Sequence, residues 1–416
     1  MRYRESCVKT DRQNHTESES LVIAREGKPC PSCGSKQVNV FYEAKNVPVQ
    51  SCLLLSDQEE ALRFPLSEIA LGLCEGCGFI YNLIFDPSLL DYTRDYEEQQ
   101  SFSPRFNTFA RELAQHLIDR YDLRNKTIVE IGCGKGDFLL LLCELGNNRG
   151  VGIDPSYVSG RLTEPAAERV TFIADFYSER YAGYQGDLVC CRHTLEHIPD
   201  TAEFLGRIRR AIESRPETVV FFEIPDVTRV LREVAFWDIY YEHCSYFTLD
   251  SLARLFRSCG FEILDLYKGF DDQYLMIEAR LAIGPTSSQP DQGDAIRETA
   301  RDVAYFSAHC SAQFEGWKSK IRELKQSGRR VVIWGSGSKC VAFLSTLAVQ
   351  NEIEYVVDIN PHRHNRYLAG SGKKIVPPSF LQNYRPDTVI AMNPIYVKEI
   401  RQDLDRMGLD AEILSV

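Results

Sequence analysis

The stretch "AFWDIYYEHCSYFTLDSL", residues 235–252, crowds three tyrosines, a Glu-His pair and a cysteine into one short segment. His243 can accept a proton near neutral pH, since a free imidazole titrates near about 6.5. Glu242 beside it would fix the ring's tautomer or stabilise the imidazolium, pushing the His243 pKa upward. Tyr240, Tyr241 and Tyr246 would exclude water or donate to a developing oxyanion. The competing reading is a satisfied core histidine in an aromatic cluster.

Two further constellations carry chemistry. "CPSCG" (Cys30, Cys33) and "CEGCG" (Cys74, Cys77) are Cys-x-x-Cys knuckles, each followed by glycine. Four thiolates in that pattern can close a tetrahedral Zn²⁺ site with no open position, which holds a fold and does no chemistry. The alternative is four unrelated buried cysteines. The insert between the knuckles is longer than a compact zinc ribbon has, so a subdomain is expected there, with Cys52 a bystander. In "TIVEIGCGKGDFLLLLCELG" a buried strand, a glycine turn and a helix follow one another, with Gly132, Gly134 and Gly136 in the turn. That pattern alone is weak. Glu130, two residues before the first glycine, suits a ligand with an ammonium group better than a phosphate. "GVGIDP" ends a strand at Asp154, where a carboxylate can take both hydroxyls of a ribose. "VTFIADFY" ends another at Asp175 and Phe176, suited to an adenine amino group and ring face.

The elements that position these residues are those of an α/β protein. At 416 residues, two or three domains are expected. A fourth strand, "GDLVCCRHTLEHI", runs into His193, Glu196 and His197, and "TVVFFEIP" is a fifth. "SLARLFRSCGFEILDLYKGFDDQYLMIEARL" adds a helix and an antiparallel strand pair. Residues 284–295 have linker composition. Beyond them "VVIWGSGSKCVAFLSTL" repeats the strand, glycine turn (Gly335, Gly337, Lys339) and helix. Arg363 lies in a basic run over residues 362–374, and with Lys339 it is a candidate diphosphate site. A solvated basic loop beside a packing turn is the bland alternative.

A net charge of −11 argues against general nucleic-acid binding. The longest apolar run, Phe138 to Cys143, is too short for a membrane span. The polar N-terminus lacks a secretory h-region. A cytoplasmic protein with reduced thiols and a small-molecule substrate is therefore expected.

Parallel strands finished by an antiparallel hairpin resemble the sheet of class I S-adenosylmethionine-dependent methyltransferases. The resemblance implies Glu130, Gly132, Gly134, Asp154 and Asp175 as cofactor contacts, with Gly136, Phe176 and His193 in the same group. A nicotinamide domain would need a phosphate loop without Glu130 and explains the hairpin poorly. Paired knuckles, this sheet with "E-x-P…Y-x-E-H-x-S-Y-F", and a last domain opening with G-x-G-x-K resemble the bacterial sugar C-methyltransferases over residues 28–416. That family acts on nucleotide-linked keto-deoxysugars. The likeness implies His243 as base for a proton α to the ketone, Tyr96, Glu242 and His197 as further active-site groups, and Gly335, Gly337, Lys339 and Arg363 on the sugar nucleotide. Tyr241 stands where the family usually has His, and "DDQYLM" where it has a small-residue turn.

The expected architecture is a tail (1–27), a zinc-binding module (28–90), a methyltransferase domain (91–283), a linker (284–295) and a second Rossmann-like α/β domain (296–416). O-methylation of a sugar or other small acceptor is the rival activity. A non-catalytic binding protein is the rival class.

Overall fold

The computed structural model describes residues 29–284 and 292–416. The expected tail, and residues 285–291 of the expected linker, lie outside the described residues; a helix begins at Gln292.

The central sheet has seven strands, in the order Phe261–Gly269, Tyr274–Leu281, Val219–Pro225, Leu188–Arg192, Thr127–Ile131, Arg149–Ile153, Val170–Ile173. The last five run parallel, and Tyr274–Leu281 inserts antiparallel between Val219–Pro225 and Phe261–Gly269. Thr127–Ile131 and Leu188–Arg192 read as almost unbroken apolar runs because helices cover both faces. One covering helix, Pro104–Tyr121, starts at Ser103, whose hydroxyl accepts from the Phe106 N–H, and carries Pro104 in its first turn. It buries Phe106, Ala110, Leu113, Ala114, Leu117 and Ile118, one face at helical spacing. The order in which the chain adds strands reverses between Leu188–Arg192 and Thr127–Ile131, which opens a crevice at the strands' C-terminal ends.

A smaller antiparallel sheet holds Val38–Pro48, Leu66–Cys74, Ile80–Asn82 and Ser245–Tyr246. Its last strand belongs to the Glu-His segment: Ile80 pairs with Tyr246 and Tyr81 with Ser245. The third sheet is wholly parallel, in the order Lys374–Val376, Tyr355–Val357, Val331–Trp334, Thr388–Ala391, Glu412–Ser415. One hydrophobic core runs through Tyr42, Ile69, Phe236, Phe306 and Phe343, joining the small sheet, the Glu-His segment, the helix Gln292–Gln326 and the C-terminal domain.

Candidate active site

The strand Thr127–Ile131 delivers Glu130 and breaks at Gly132, Gly134 and Gly136, whose φ values are 70°, 53° and 93°. A Cβ on Gly132 would meet Thr194 Oγ1 at 1.9 Å, so the close approach as well as the backbone requires glycine. The Gly134 N–H donates to Asp154 Oδ2 at 2.8 Å, while the Ser156 N–H and hydroxyl donate to Oδ1 at 2.7 Å each. Glu130 is buried with Oε2 unpartnered, and burial pushes its carboxyl up to about 8. Phe176, 60% exposed, borders the crevice. Asp175 does not: Tyr181 and Arg180 hold its carboxylate. Gly136 also stands back from the crevice, packed against the Phe172 ring.

His193 ends the strand Leu188–Arg192 with a left-handed φ of 47°. Its Nε2 lies 2.8 Å from Glu223 Oε1, and Nδ1 lies 3.5 Å from Glu196. Burial would lower its pKa, but the Glu223 charge and the bonds to Glu196 and Glu223 raise it to about 9. Glu223 also takes both arms of Arg192, at 2.8 and 3.1 Å.

The Glu-His segment lies between the small sheet and the loop after that strand. The Asn82 N–H donates to the Cys244 carbonyl, the Cys244 N–H to the Glu196 carbonyl, and the Ser245 hydroxyl to the Ile198 carbonyl. Glu242 and His243 diverge, contrary to the expectation that they pair. Glu242 Oε2 accepts from the Ser51 N–H at 3.1 Å and hydroxyl at 2.6 Å. Burial raises its pKa to about 7 against the pull of Ser51 and Tyr96. His243 instead faces His197, with ring centroids 4.8 Å apart, and Tyr240 at 4.1 Å. Its pKa is depressed, not raised, because burial and the neighbouring His197, His193 and Lys339 all oppose a positive ring. His197 Nδ1 is held by the Tyr92 hydroxyl at 2.9 Å. Tyr241 leaves the site altogether: it is fully buried, and its hydroxyl accepts from the Asp86 N–H at 2.9 Å.

Across the crevice stand Gly335 and Gly337, but the expected basic site is neutralised. Lys339 Nζ lies 2.7 Å from Asp238 Oδ1, and Arg229 binds the same carboxylate. Arg363 is buried and donates to the Ser336 carbonyl at 2.9 Å and to the Glu97 carbonyl. His364 Nε2 lies 2.8 Å from the Asp358 carbonyl, and among residues 362–374 only Arg363 borders the crevice. Glu130, Asp154, His193, His197, His243 and Lys339 line one cavity of about 1090 Å³ between the seven-stranded and five-stranded sheets.

Residues 106–266 match the model of a methyltransferase domain, and residues 295–410 match a C-methyltransferase C-terminal domain. The C-methyltransferase NovU of Streptomyces niveus is 26% identical over 397 residues, 91% of this chain and 92% of that one. This chain is an S-adenosylmethionine-dependent methyltransferase with a C-methyltransferase C-terminal domain. Among solved structures, 1,6-didemethyltoxoflavin-N1-methyltransferase of Burkholderia thailandensis is 18% identical, covers 42% of this chain and 79% of its own, and gives a TM-score of 0.32. Magnesium protoporphyrin IX methyltransferase of Synechocystis PCC 6803 is 15% identical, with 43% and 84% covered and a TM-score of 0.34.

The methyltransferase's glycine turn fits its donor. Gly132 and Gly134 leave a cradle, Asp154 is a charged acceptor, and Glu130 has a buried oxygen that lacks a partner. The four cysteines of the knuckles also converge: their sulfurs lie within 4.8 Å of one another, at 3.7 Å for Cys30–Cys77 and 3.6 Å for Cys33–Cys74. Thiolates around a tetrahedral zinc stand about 3.8 Å apart. Gly34 and Gly78, at φ 76° and 72°, close each knuckle by donating to the carbonyls of Cys30 and Cys74. Glu196, His197 and His243 also bring ligand atoms within 4.8 Å of one another, though Tyr92 occupies His197 and Glu196 faces His193.

Sequence reasoning missed the loop over the cavity. Lys135 is buried in the glycine turn and donates to the Tyr96 carbonyl at 2.7 Å and the Ser156 carbonyl at 2.6 Å. Glu97 takes Arg161 in two bonds, at 2.7 and 3.1 Å, and the Asn360 amide at 2.9 Å. Glu98 follows it onto the glycine turn. The run "YEEQQ" has no periodicity that would have marked it. Among the described residues no helix is long and apolar enough to cross a membrane.

Proposed function

We propose that this methyltransferase transfers a methyl group to carbon, with a nucleotide-activated keto-deoxysugar as acceptor and His243 as the base. One observation carries the reading. His243 is uncharged at neutral pH, its ring has no hydrogen-bond partner among the described residues, and it opens on the cavity shared by the glycine turn and the C-methyltransferase C-terminal domain. Bound S-adenosylmethionine supplies an electrophilic methyl on a sulfonium. His243 would take the proton from the carbon beside the ketone, leaving there the electron pair that forms the new bond to the methyl. The methyl–sulfur bond would break with its pair kept by sulfur, giving S-adenosylhomocysteine, and the imidazolium would return its proton to solvent. Tyr240 supplies a phenol for the developing enolate oxygen. Tyr92 orients His197 beside the base. Asp154 receives the donor's ribose, Glu130 its ammonium and Phe176 its adenine face.

The acceptor's diphosphate is assigned to the first turn of the helix Ser338–Leu347. Its N-cap Gly337 gives no side-chain bond, which leaves N–H groups free at the positive end of the helix. The four knuckle cysteines are assigned a structural Zn²⁺.

A second reading, O-methylation of a small acceptor without a diphosphate, has one observation behind it. Every Lys or Arg that lines the cavity among the described residues is already held. Arg192 is on Glu223, Arg229 and Lys339 on Asp238, and Lys135 and Arg363 on carbonyls. Arg207 and Arg406, at the mouth, pair with Glu203 and Asp403.

Incubation with a nucleoside diphosphate keto-deoxysugar in deuterium oxide, without donor, separates the two. Carbon methylation predicts deuterium at the α carbon, lost in His243→Asn. Wild-type enzyme that exchanges no hydrogen yet methylates a hydroxyl would establish the second reading.

A further inference from the structure

The loop over the glycine turn brings a carboxylate against the donor cradle. Glu98 Oε1 lies 2.5 Å from where a Gly134 Cβ would stand. Its Oε2 is buried with no hydrogen-bond partner, as is Glu130 Oε2 on the strand beneath. Among the described residues no nearby cation forms an ion pair with either carboxylate: Arg192, whose charge reaches Glu130, is held on Glu223. Lys135 directs its Nζ to the carbonyls of Tyr96 and Ser156, and Arg161 is fixed on Glu97. Two carboxylates with buried, unpartnered oxygens and no direct ion pair are costly unless a ligand brings positive charge or a proton neutralises them.

We propose that Glu98 is a donor-binding residue whose carboxylate, with that of Glu130, receives the positive charge of S-adenosylmethionine beneath the loop of residues 92–103. The proposal rests on the methyltransferase reading and extends it. The donor carries an ammonium and a sulfonium, whereas S-adenosylhomocysteine keeps only the ammonium. Two uncompensated carboxylates therefore hold the donor more tightly than the spent product, and methyl transfer itself weakens the grip that must be released. Loop and charge are coupled, because Tyr96 and Glu97, which precede Glu98, are tied to Lys135, Arg161 and Asn360.

Burial, with the Asp154 and Glu97 charges and against Lys135, raises the Glu98 carboxyl to about 8. The empty site therefore holds protons at pH 7, and taking up a cation should release them.

Titration calorimetry of the full chain with S-adenosylmethionine and S-adenosylhomocysteine, in two buffers of different ionisation enthalpy, tests this. Glu98→Gln keeps the size of the side chain, and the expected result is a donor affinity at least tenfold weaker, the scale of a hydrogen bond to a charged group. Product affinity should fall threefold or less, and fewer protons should be released with the donor. Glu98→Asp, which keeps the charge, should lie between wild type and Glu98→Gln, and it serves if the glutamine variant does not fold. Donor affinity within twofold of wild type, equal weakening of donor and product, or unchanged proton release would overturn the proposal. A wild-type chain that binds neither ligand would instead remove the methyltransferase reading beneath it.

Discussion

The proposed base, His243, is held neutral by its surroundings even though Glu196 lies close by. Burial and the adjacent histidines hold its pKa below the ordinary histidine value, so the ring is neutral through pH 6.5 and above. His243→Asn should lower kcat by about 10²–10⁴-fold, the usual contribution of a positioned base, while calorimetric donor affinity stays within threefold. The sign of the pH dependence follows from the depressed pKa: with S-adenosylmethionine saturating, kcat should show no loss from His243 protonation as pH drops from 8 to 6.5. Glu242 is raised by burial to about 7 and accepts from Ser51, away from His243, and the role proposed for it is to position the segment. Glu242→Gln keeps an acceptor for Ser51 and should cost less than tenfold in kcat. A limb near pH 6.5 that survives in Glu242→Gln would give His243 an ordinary pKa and contradict this account. The Glu-His spacing was legible; the divergence of the two side chains was not, since neighbours in a tight turn point wherever packing sends them.

At the level of elements, the strand Ser245–Tyr246 explains why a cysteine module precedes a methyltransferase sheet. It extends the sheet that grows out of the second knuckle, so the cluster of Cys30, Cys33, Cys74 and Cys77 anchors the backbone that carries His243. Metal analysis should find one zinc per chain. Cys30→Ser, or removal of zinc by a chelator, should lower the melting temperature and abolish turnover, with donor affinity changed far less because the glycine turn lies on another sheet. Folded, fully active protein free of zinc would refute the assignment. The knuckles were readable from spacing, whereas their link to His243 needs a pairing between residues far apart in the chain.

At the scale of the whole molecule, one core joins the small sheet, the Glu-His segment and the C-terminal domain, and an ion pair and a carboxamide pair cross between the domains at the cavity. Lys339 from the C-terminal domain meets Asp238 from the Glu-His segment. Lys339→Ala leaves Asp238 with Arg229 alone, so it should destabilise the fold by about 1–3 kcal/mol in urea titration. Acceptor KM should stay within threefold, because Lys339 is a strut here. A large rise in KM without loss of stability would return Lys339 to the acceptor's diphosphate. The Gln273 and Asn393 carboxamides make a second crossing, donating to each other at 3.0 and 2.8 Å. Gln273 follows three left-handed residues, Phe270, Asp271 and Asp272, at the turn where the resembling family has small ones.

Local pattern determined a great deal. Apolar runs, glycine turns and terminal acids placed Glu130, Asp154 and the parallel strands of both larger sheets, because strand burial and left-handed turns are written in neighbouring residues. The cysteine spacing likewise foretold a convergence of four sulfurs. What only the tertiary structure decided was which charges meet. Tyr241 turned into the core, Asp175 was taken by Arg180, and the cations expected to be free were claimed by Asp238, Glu97 and Ser336. Ser51 and Glu98 entered the site from loops without periodicity. The physical reason is range: hydrophobic periodicity acts within an element, but a buried charge is answered by whatever the fold brings within a few ångströms, from anywhere in the chain.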